Sequence, residues 1–594
     1  MHFYYKFEKS IALVIFAIIT IFPVVESLAR IFGQQAISGS SYIVQHLVLW
    51  IGIFGGVIAA RENNLLALTQ NKIFDLNRKV SFKSWLPRFY SFFILLLLTI
   101  ASYDLITIEY RFQELIAPNI PRWFAQIILP LGFGAMTIIV LKNSYSSNKI
   151  SMSFILASIL IILLNSIFDI RELPLTVWLG LSISILALIL GTPIFLGLGG
   201  IAILFFWNDY MSISSIPSEA YRIVIKPTLP TIPLFTLAGF ILAESNTSTR
   251  LVNVFRALFG WLPGGTPVVV VILCGFFTSL TGGSGVTILA LGGLLLPMLV
   301  HEGYKRSFAI GLITVSGSIG LLFVPSLPLI IYSVRAGINV VDTFVGGLMP
   351  FFLLVILISG YAIFQGKVQN IKLKKFHFNI ALSSCSIAKW ELMIPLIILF
   401  GVFAGYTTLV ETSAFLVLYV IIIEIYIYKD ISLYKLPEIV KNCASITGGV
   451  LIIIGIAMGL TSYLVDAQFP QAMLQWSKKA IASKYLFLLL LNIFLLVAGC
   501  LMDIFSAIII LVPLIKPLGI YFDIHPVHLA IIFIANLELG FLTPPVGMNL
   551  FLSAYRFKEN MNQIYKATLP FFVVKLIAVV LITYLPFITI GLLQ

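Results

Sequence analysis

Two clusters of glycine, serine and proline interrupt otherwise apolar sequence in this chain. The first is Phe276–Thr287, which contains Gly282-Gly-Ser-Gly285, and the second is Gly320–Pro328. Lipid-facing backbone cannot be left without hydrogen-bond partners, so such interruptions persist only where protein or a water-filled cavity surrounds them. Broken helices at membrane depth are a common way to build a solute or ion site. The two clusters therefore predict a membrane transporter whose site is made from helix breaks.

The breaks recur further along the chain. A shift of 220 residues places Gly320-Leu-Leu-Phe-Val-Pro325 on Gly540-Phe-Leu-Thr-Pro-Pro545. The same shift, without a gap, pairs Pro297 with Pro517, Gly283 with Asp503, and Gly239 with Gly459. Weak self-similarity between two halves of a hydrophobic chain indicates structural repeats, with the site where matching breaks meet.

Composition excludes a water-soluble globular protein. The 594 residues are 60% hydrophobic and only 10% charged, which predicts an all-α polytopic membrane protein. The net charge of +13 does not indicate a nucleic-acid partner, because the bases lie in short loops between apolar runs and so set membrane orientation. The four cysteines have no metal or disulfide spacing.

The chain divides into three predicted parts. Residues 1–145 hold four apolar runs, near 11–32, 42–60, 89–108 and 122–141, and form a four-helix block with both ends in the cytoplasm. Residues 146–173 form a linker with one further helix, which brings the chain to the outside. Residues 174–594 form the large block, with two repeats at about 174–366 and 390–594. The basic stretch Lys367–Lys389, which contains no acid, is predicted to be the cytoplasmic loop between them.

Re-entrant hairpins are predicted in both repeats. The apolar stretch 267–299 is cut at Thr281–Gly285, and a spanning helix needs ~20 residues. Each arm, 267–280 or 286–299, is shorter than that, so a hairpin with its tip at Gly282–Gly285 is favoured over two spans. A second hairpin tip is predicted near Leu501-Met-Asp-Ile504.

The breaks supply oxygen atoms that could bind an ion or a substrate. Gly282, Gly283, Ser284, Gly285 and Thr287 expose carbonyls and hydroxyls; three glycines in four residues are more than close helix packing needs.

Prolines free further carbonyls at the paired breaks. Pro325 and Pro545 leave carbonyls that a continuous helix would have used, and Ser326 and Thr543 add hydroxyls.

Acids within apolar sequence are a second group of candidates. The acids are Asp503, Glu538, Glu411 and Glu424. Intramembrane carboxylates cost ~2.5–3.5 kcal/mol even on lenient scales, so they usually face an interior and have a function. Asp503, at the second tip, is predicted to lie near a cation, and Glu538 and Asn536 precede the Gly540 break. Glu424 is interpreted as a membrane-edge residue, and His46 as a hydrogen-bonded packing residue.

The sequence also bears on four other functions. Gly282-Gly-Ser-Gly285 fits the pattern of intramembrane serine proteases, but the histidines that could act as base, His301, His525 and His528, lie near predicted membrane edges. The chain has no nucleotide-binding G-x-x-x-x-G-K-[ST] loop. Two matched hairpins favour alternating access to a closed site, and so disfavour a channel. A sodium/dicarboxylate symporter that works without a binding protein remains the alternative.

The large block resembles the large membrane subunit of tripartite ATP-independent periplasmic (TRAP) transporters. The resembling stretches are Thr231–Gly239, Thr281–Tyr304, Val324-Pro-Ser326, Gly405–Ser413, Asp503 in its apolar context and Leu542–Gly547. The first 145 residues resemble the family's four-helix small subunit, with Arg30 and Ala59-Ala-Arg-Glu62 as marks. The chain departs from the family at Thr281-Gly-Gly-Ser284, at Val324, and at Gln45 and His46, where acids are usual.

The resemblance implies a fusion of both subunits that works as a sodium-coupled elevator transporter. It would import an organic acid across the bacterial inner membrane after delivery by a periplasmic binding protein, as a monomer without enzymatic activity or organic cofactor. The large block would contain two inverted repeats.

The resemblance also implies sites. Substrate would bind at Gly283, Ser284, Gly285, Thr543 and Pro544, between the hairpin tips. One sodium ion would lie near Gly282, Ser284, Thr287, Pro325 and Ser326. A second would lie near Asp503, Asn536, Gly540, Thr543 and Pro545.

Overall fold

The structure is a computed structural model. It describes residues 2–33, 39–67, 82–117, 120–144, 148–167, 171, 175–262, 264–369, 376–544 and 547–593. The chain forms two compact units, residues 1–233 with 440–470 and residues 234–439 with 471–594. Such packing units need not follow evolutionary domains, so the predicted boundaries at residues 145 and 174 stay predictions.

The described residues are almost entirely helical, as expected where backbone groups must be hydrogen-bonded within the chain. The first helices are α1 (His2–Ile31), α2 (Ser40–Glu62), α3 (Phe82–Phe112), α4 (Arg122–Gln126), α5 (Ile128–Ser144), α6 (Asn148–Ile167), α7 (Leu175–Ile189), α8 (Ile194–Asn208), α9 (Ser215–Val224) and α10 (Thr231–Glu244). Between α3 and α4, the short strands β1 (Leu115–Ala117) and β2 (Ile120–Pro121) pair antiparallel.

The later helices contain the breaks. They are α11 (Thr247–Phe259), α12 (Gly265–Thr281), α13 (Ser284–His301), α14 (Arg306–Ile319), α15 (Leu327–Ala336), α16 (Val340–Val368), α17 (Phe378–Ile387), α18 (Lys389–Phe403), α19 (Leu409–Ile421), α20 (Leu436–Asp466), α21 (Phe469–Ala480), α22 (Lys484–Leu501), α23 (Ile504–Tyr521), α24 (Pro526–Gly540), α25 (Met548–Phe557), α26 (Met561–Tyr584) and α27 (Phe587–Ile590). A 3₁₀ helix, Gly320–Leu322, follows α14, and a π-helix, Ile422–Ile427, continues α19.

Eleven helices among the described residues are long and apolar enough to cross a membrane. They are Glu8–Ile31, Ser40–Glu62, Trp85–Phe112, Arg122–Lys142, Ser284–His301, Val340–Val368, Leu409–Ile427, Leu436–Asp466, Lys484–Leu501, Ile504–Tyr521 and Met561–Tyr584. The first four coincide with the four apolar runs of the N-terminal block. The prediction of an all-α polytopic membrane protein is therefore confirmed.

The first unit has a packed apolar core with a few buried polar links. Helix α5 packs against α2 and α3, and α9 packs against the same two helices. His46 of α2 is hydrogen-bonded on both sides, to Tyr42 O and to Tyr221 of α9, each at 2.7 Å. Lys441 of α20 pairs with Glu62 at 2.5 Å. His46 is therefore the hydrogen-bonded packing residue that the sequence predicts.

The second unit contains all four of the predicted breaks. Helix α12 packs along α14, and α22 packs along α24 in the same way. Helix α13 contacts α25, while α23 contacts α15. Helix α26 packs against α14, α16 and α24. These contacts surround the breaks with protein, as backbone that leaves a helix in a membrane requires.

Two local predictions differ from the structure. The arms of the first predicted hairpin are longer than expected: α12 has 17 residues and α13 has 18, and the helices beside the second predicted tip, α22 and α23, also have 18 each. Length alone therefore does not separate a re-entrant arm from a span. The predicted loop at Lys367–Lys389 contains the helix α17. Its sequence, Phe378-Asn-Ile-Ala-Leu, is apolar enough to fold as a helix, and the flanking lysines hid that feature.

Candidate functional site

The first break lies between α12 and α13. Gly282 ends α12 with a φ of 68°, a left-handed conformation that glycine adopts without strain, and a Cβ there would overlap the side chain of Leu327. Gly283 then extends the chain, and Ser284 begins α13. Gly283 and Gly285 are half-buried, and Gly285 faces Leu552 of α25.

Hydroxyl groups line the inner side of the first break. Thr278 Oγ1 lies 2.7 Å from Thr287 Oγ1 and 2.8 Å from the carbonyl oxygen of Gly317 on α14. Both threonines are fully buried. The break thus brings the predicted ligand Thr287 next to a hydroxyl that the sequence analysis did not single out.

Ser284 connects the first break to α25. Its hydroxyl donates to Asn549 Oδ1 at 2.6 Å, and Asn549 Nδ2 lies 3.5 Å from the carbonyl oxygen of Thr314. Thr314 Oγ1 is in turn 2.8 Å from Ser553 Oγ. The sequence analysis missed Asn549, Thr314 and Ser553. They could have been found as polar residues in the two helices that flank the paired proline breaks, α14 and α25.

The second break lies between α14 and α15, and the two helical segments meet at an angle of 41°. Pro325 and Ser326 are both buried. The Ser326 hydroxyl donates to Leu321 O and accepts from Leu329 N, so it caps α15. A Cβ at Gly320 would overlap the backbone of Gly275 on α12. The first and second breaks are therefore neighbours, as the predicted sodium site at both requires.

The third break carries Asp503, between α22 and α23. Its Oδ2 accepts hydrogen bonds from Phe505 N (3.0 Å) and Ser506 N (3.1 Å), and its Oδ1 accepts from the Ser506 hydroxyl at 2.5 Å. Asp503 is thus the N-cap of α23, a role that its sequence context did not reveal. A carboxylate has further lone pairs, so capping leaves room for a cation ligand.

The fourth break follows α24 and meets the third. A Cβ at Gly540 would lie 2.6 Å from Gly499 Cα, and Gly547 N donates to Cys500 O at 3.3 Å. Thr543 is half-buried and bonds Leu539 O within its own turn, while Pro544 is exposed. Pro545 lies outside the described residues.

One chain segment links the two tips. The stretch between α24 and α25 contacts the residues before the third break through Gly547, and Asn549 at the start of α25 contacts Ser284 at the first break. Asn536 does not take part in these contacts. Asn536 Nδ2 donates instead to Asn492 Oδ1 at 2.6 Å and to Ile532 O at 2.9 Å. Its bonds to described residues join it to α22, not to Asp503.

The sequence analysis missed the contacts of two further buried acids, an ion pair for Glu538 and a helix cap for Glu411. Glu538 Oε2 lies 2.8 Å from Lys575 Nζ on α26, and both side chains are fully buried. Glu411 caps α19 through a capping box with Thr408.

Glu424 belongs to an ionic cluster around Arg250. Arg250 pairs with Glu391, with Glu424 at 3.0 Å and with Asp430 at 2.6 Å. Glu391 and Glu424 are completely buried, so the interpretation of Glu424 as a membrane-edge residue overlooked its ion pair. Burial raises the pKa of Asp430, but hydrogen bonds from Arg250 and Asn246 outweigh it and leave the pKa below its usual range.

The breaks can bind a hard cation only through scattered oxygen atoms. Within the described ranges, no three His, Cys, Asp or Glu residues lie close enough together to hold a metal ion. Carbonyl oxygens, hydroxyls and a single carboxylate suit a weakly bound monovalent cation better than a tightly held transition metal. Apolar spans whose breaks meet around such groups are typical of secondary transporters, so the fold and the site define a polytopic membrane transporter.

Comparisons with known proteins give the family. The family model "Tripartite ATP-independent periplasmic transporter, DctM component" matches residues 181–588, and the model of the DctQ component matches residues 19–148. The chain belongs to this TRAP transporter family and carries both membrane components in one polypeptide. It is a multi-pass protein of the bacterial inner membrane.

Several relatives share this organisation or its large part. The isethionate TRAP transporter permease protein DctMQ of Oleidesulfovibrio alaskensis is 27% identical over 93% of this chain and 88% of that protein. The C4-dicarboxylate TRAP transporter large permease protein DctM of Pseudomonas aeruginosa is 30% identical over 67% of this chain and 93% of that protein. The ectoine TRAP transporter large permease protein TeaC of Halomonas elongata is 26% identical over 67% of this chain and 94% of that protein. These three relatives are named for different substrates.

Proposed function

We propose that this chain is the membrane part of a sodium-coupled importer of an organic acid, with substrate delivered by a periplasmic binding protein. The observation that carries the proposal is the match to both membrane components of a tripartite family in one chain. Relatives named for isethionate and C4-dicarboxylates support an anionic substrate. A stand-alone sodium/dicarboxylate symporter is not favoured, because the family is tripartite.

A two-repeat architecture is supported by the bounds of the helices. Adding 220 to the bounds of α13, Ser284–His301, gives those of α23, Ile504–Tyr521. The same shift takes α12 to α22, α14 to α24, α15 to α25 and α16 to α26, each within a few residues. The contact of Gly320 with Ser279 corresponds to that of Gly540 with Gly499. We infer that the two repeats are inverted and that each contributes a re-entrant hairpin.

The two tips differ in a way that suggests different ligands. The N-terminus of α23 is capped by the Asp503 carboxylate, whereas the N-cap residue of α13 is Gly283, which has no side chain to cap the helix. Uncapped N–H groups and the helix dipole favour an anion at the start of α13. We therefore place the substrate carboxylate near Gly283, Ser284 and Gly285, with Thr543 and Pro544 on its other side.

Two sodium ions are proposed as coupling ions. The first would use oxygens at Gly282, Ser284, Thr287, Pro325 and Ser326. The second would use Asp503, Gly540, Thr543 and Pro545. Asn536 is a less direct candidate, because it bonds Asn492. Each sodium that enters down a potential of about 100 mV contributes ~2.3 kcal/mol, and each negative charge on the solute costs the same amount, so two sodium ions give a net electrical drive for a singly charged anion.

Transport would follow an elevator mechanism. In this proposal the hairpins and the adjoining breaks move together as a transport domain, against a scaffold that the small-subunit block enlarges. The block at 1–145, the linker at 146–173 and the permease part at 174–594 would act as one monomer.

Uptake into proteoliposomes tests the proposal. Labelled organic acids are supplied with or without an inward sodium gradient, and with or without the binding protein encoded beside this chain. We expect uptake only when both sodium and the binding protein are present. Sodium-driven uptake without the binding protein would instead establish the stand-alone symporter. Uptake with the binding protein but indifferent to sodium would remove sodium from the mechanism.

Ser284→Ala is expected to lower uptake by about tenfold, which corresponds to ~1.4 kcal/mol. The substitution removes the hydroxyl that binds Asn549 Oδ1 and leaves this buried acceptor unpaired. Initial rates at several substrate and sodium concentrations provide the measurement. The control is Ser413→Ala, which removes a buried serine whose hydroxyl, in the part of the chain that the structure describes, bonds Val410 O of its own helix. Equal uptake by both variants would exclude Ser284 from the site, and retained uptake with loss of a hydrolytic activity would indicate an enzyme.

A further inference from the structure

A buried lysine bridges the two helices that lead into the paired proline breaks. Lys575 of α26 lies 2.8 Å from Glu538 Oε2 on α24 and donates a hydrogen bond to Ser318 Oγ on α14 at 2.7 Å. All three side chains have no solvent exposure. Neither carboxylate oxygen of Glu538 has a hydrogen-bond partner among the described residues, so the carboxylate is compensated by its ion pair with Lys575. Because water does not reach this pair, each charge is compensated mainly by the other, at the distance that the two helices set.

The two residues that Lys575 joins occupy equivalent positions. Ser318 and Glu538 are related by the shift of 220 residues, and each lies two residues before the glycine that opens its break, Gly320 or Gly540. The residue that the same shift pairs with Lys575 is Val355. The bridge therefore has no counterpart in the first repeat, and a single ammonium group ties together two matching points of the two repeats.

The bridge continues to the first break through backbone and hydroxyl groups. Gly317, next to Ser318, presents its carbonyl to Thr278 at 2.8 Å. Thr278 is in turn 2.7 Å from Thr287, one of the proposed sodium ligands. A displacement of α14 at Ser318 would therefore move the carbonyl and the hydroxyls that surround that site.

Stability does not account for this arrangement. A buried ion pair contributes little to folding compared with a well-packed apolar pair of similar volume. Ionisable residues within a membrane protein are costly and usually serve its function.

We propose that Lys575 is a positioning residue for cation binding. It fixes α14 and α24 relative to each other just before their breaks, and so sets the spacing of the ligands at the first tip. The inference rests on the proposed sodium coupling. Lys575 itself touches neither the ion nor the substrate.

The test compares three variants of the full chain with the wild type in the proteoliposome assay with the binding protein. Lys575→Met alone leaves Glu538 buried without a partner, so the informative variant is the double substitution Glu538→Leu with Lys575→Met, which removes both charges. Ser318→Ala keeps the ion pair but removes its link to α14. Lys566→Met, at an exposed position of the same helix, is the matched control. Thermal stability, the half-saturating sodium concentration, and the substrate KM at saturating sodium are measured for each.

The expected result separates positioning from folding. The double variant should keep the thermal stability of the wild type while its half-saturating sodium concentration rises at least fivefold and its KM at saturating sodium is unchanged. Ser318→Ala should shift the sodium dependence in the same direction by a smaller factor, and Lys566→Met should not shift it. A stable double variant with wild-type sodium dependence would overturn the proposal. If the double variant does not fold, the sodium dependence of Ser318→Ala tests the proposal: an unchanged half-saturating sodium concentration in that variant would overturn it. Sodium-independent uptake by the wild type would instead contradict the proposed function itself.

Discussion

Asp503→Asn is expected to raise the half-saturating sodium concentration on the order of 100-fold while the protein stays folded. An ionic contact at about 4 Å amounts to about 4 kcal/mol at an effective dielectric constant near 20, and partial replacement by an amide oxygen recovers some of it. Each ~1.4 kcal/mol lost weakens binding tenfold. The measurement is sodium-dependent uptake together with thermal stability.

Asparagine at position 503 separates helix capping from the binding of a cation by charge. It caps helices about as well as aspartate, so α23 should keep hydrogen bonds like those that Phe505 N and Ser506 N donate to Asp503. Asp503→Ala removes the cap as well, and should cost an additional ~1 kcal/mol of stability. If transport falls with alanine but not with asparagine, Asp503 is only a helix cap.

The control for charge is Asp523→Asn. Asp523 is exposed in the turn after α23, with a φ of 51° that asparagine also tolerates. This variant should transport with wild-type sodium dependence. A similar loss in both variants would show that the effect of Asp503 arises from net charge and not from its place at the break.

The helix breaks were predictable because their signals are local. Glycine at a left-handed position, proline that removes a donor, and polar residues in apolar runs each act within a few residues of the chain. Gly282, Gly320 and Gly540 all end helices or begin turns where the sequence indicated. The apolar spans were predictable for the same reason, since ~20 consecutive apolar residues have few alternatives.

The partners across the breaks were not predictable, because they depend on packing over long sequence separations. Asn549 lies 265 residues from Ser284, and Lys575 lies 257 residues from Ser318. A single sequence carries no record of such pairs. A lysine in an apolar run was visible at Lys575, but nothing nearby indicated that its partner would be Glu538.

Arg250→Met is expected to destabilise the protein by ~3–5 kcal/mol, the largest effect on folding among these variants. Arg250 contacts three carboxylates and stacks 3.8 Å from the ring of Tyr428. Without the guanidinium, Glu391 and Glu424 would remain fully buried and uncompensated. Yield of folded protein and thermal unfolding in detergent provide the measurement.

Arg256→Met is the matched control, since Arg256 lies on the same helix α11 and pairs with Glu302. About a third of its side chain is exposed, at 35%, so the loss of this pair should cost only ~0–1 kcal/mol. Equal loss of stability in both variants would contradict the difference in burial.

A further variant tests whether uncompensated buried carboxylates cause the instability of Arg250→Met. Adding Glu391→Gln and Glu424→Gln to Arg250→Met leaves neutral amides where two buried carboxylates stood. Because an uncompensated buried charge costs more than a buried amide, this triple variant should recover part of the lost stability. If it is less stable than Arg250→Met alone, the carboxylates contribute through hydrogen bonds that do not depend on Arg250, such as those that Thr247 and Tyr428 donate to them.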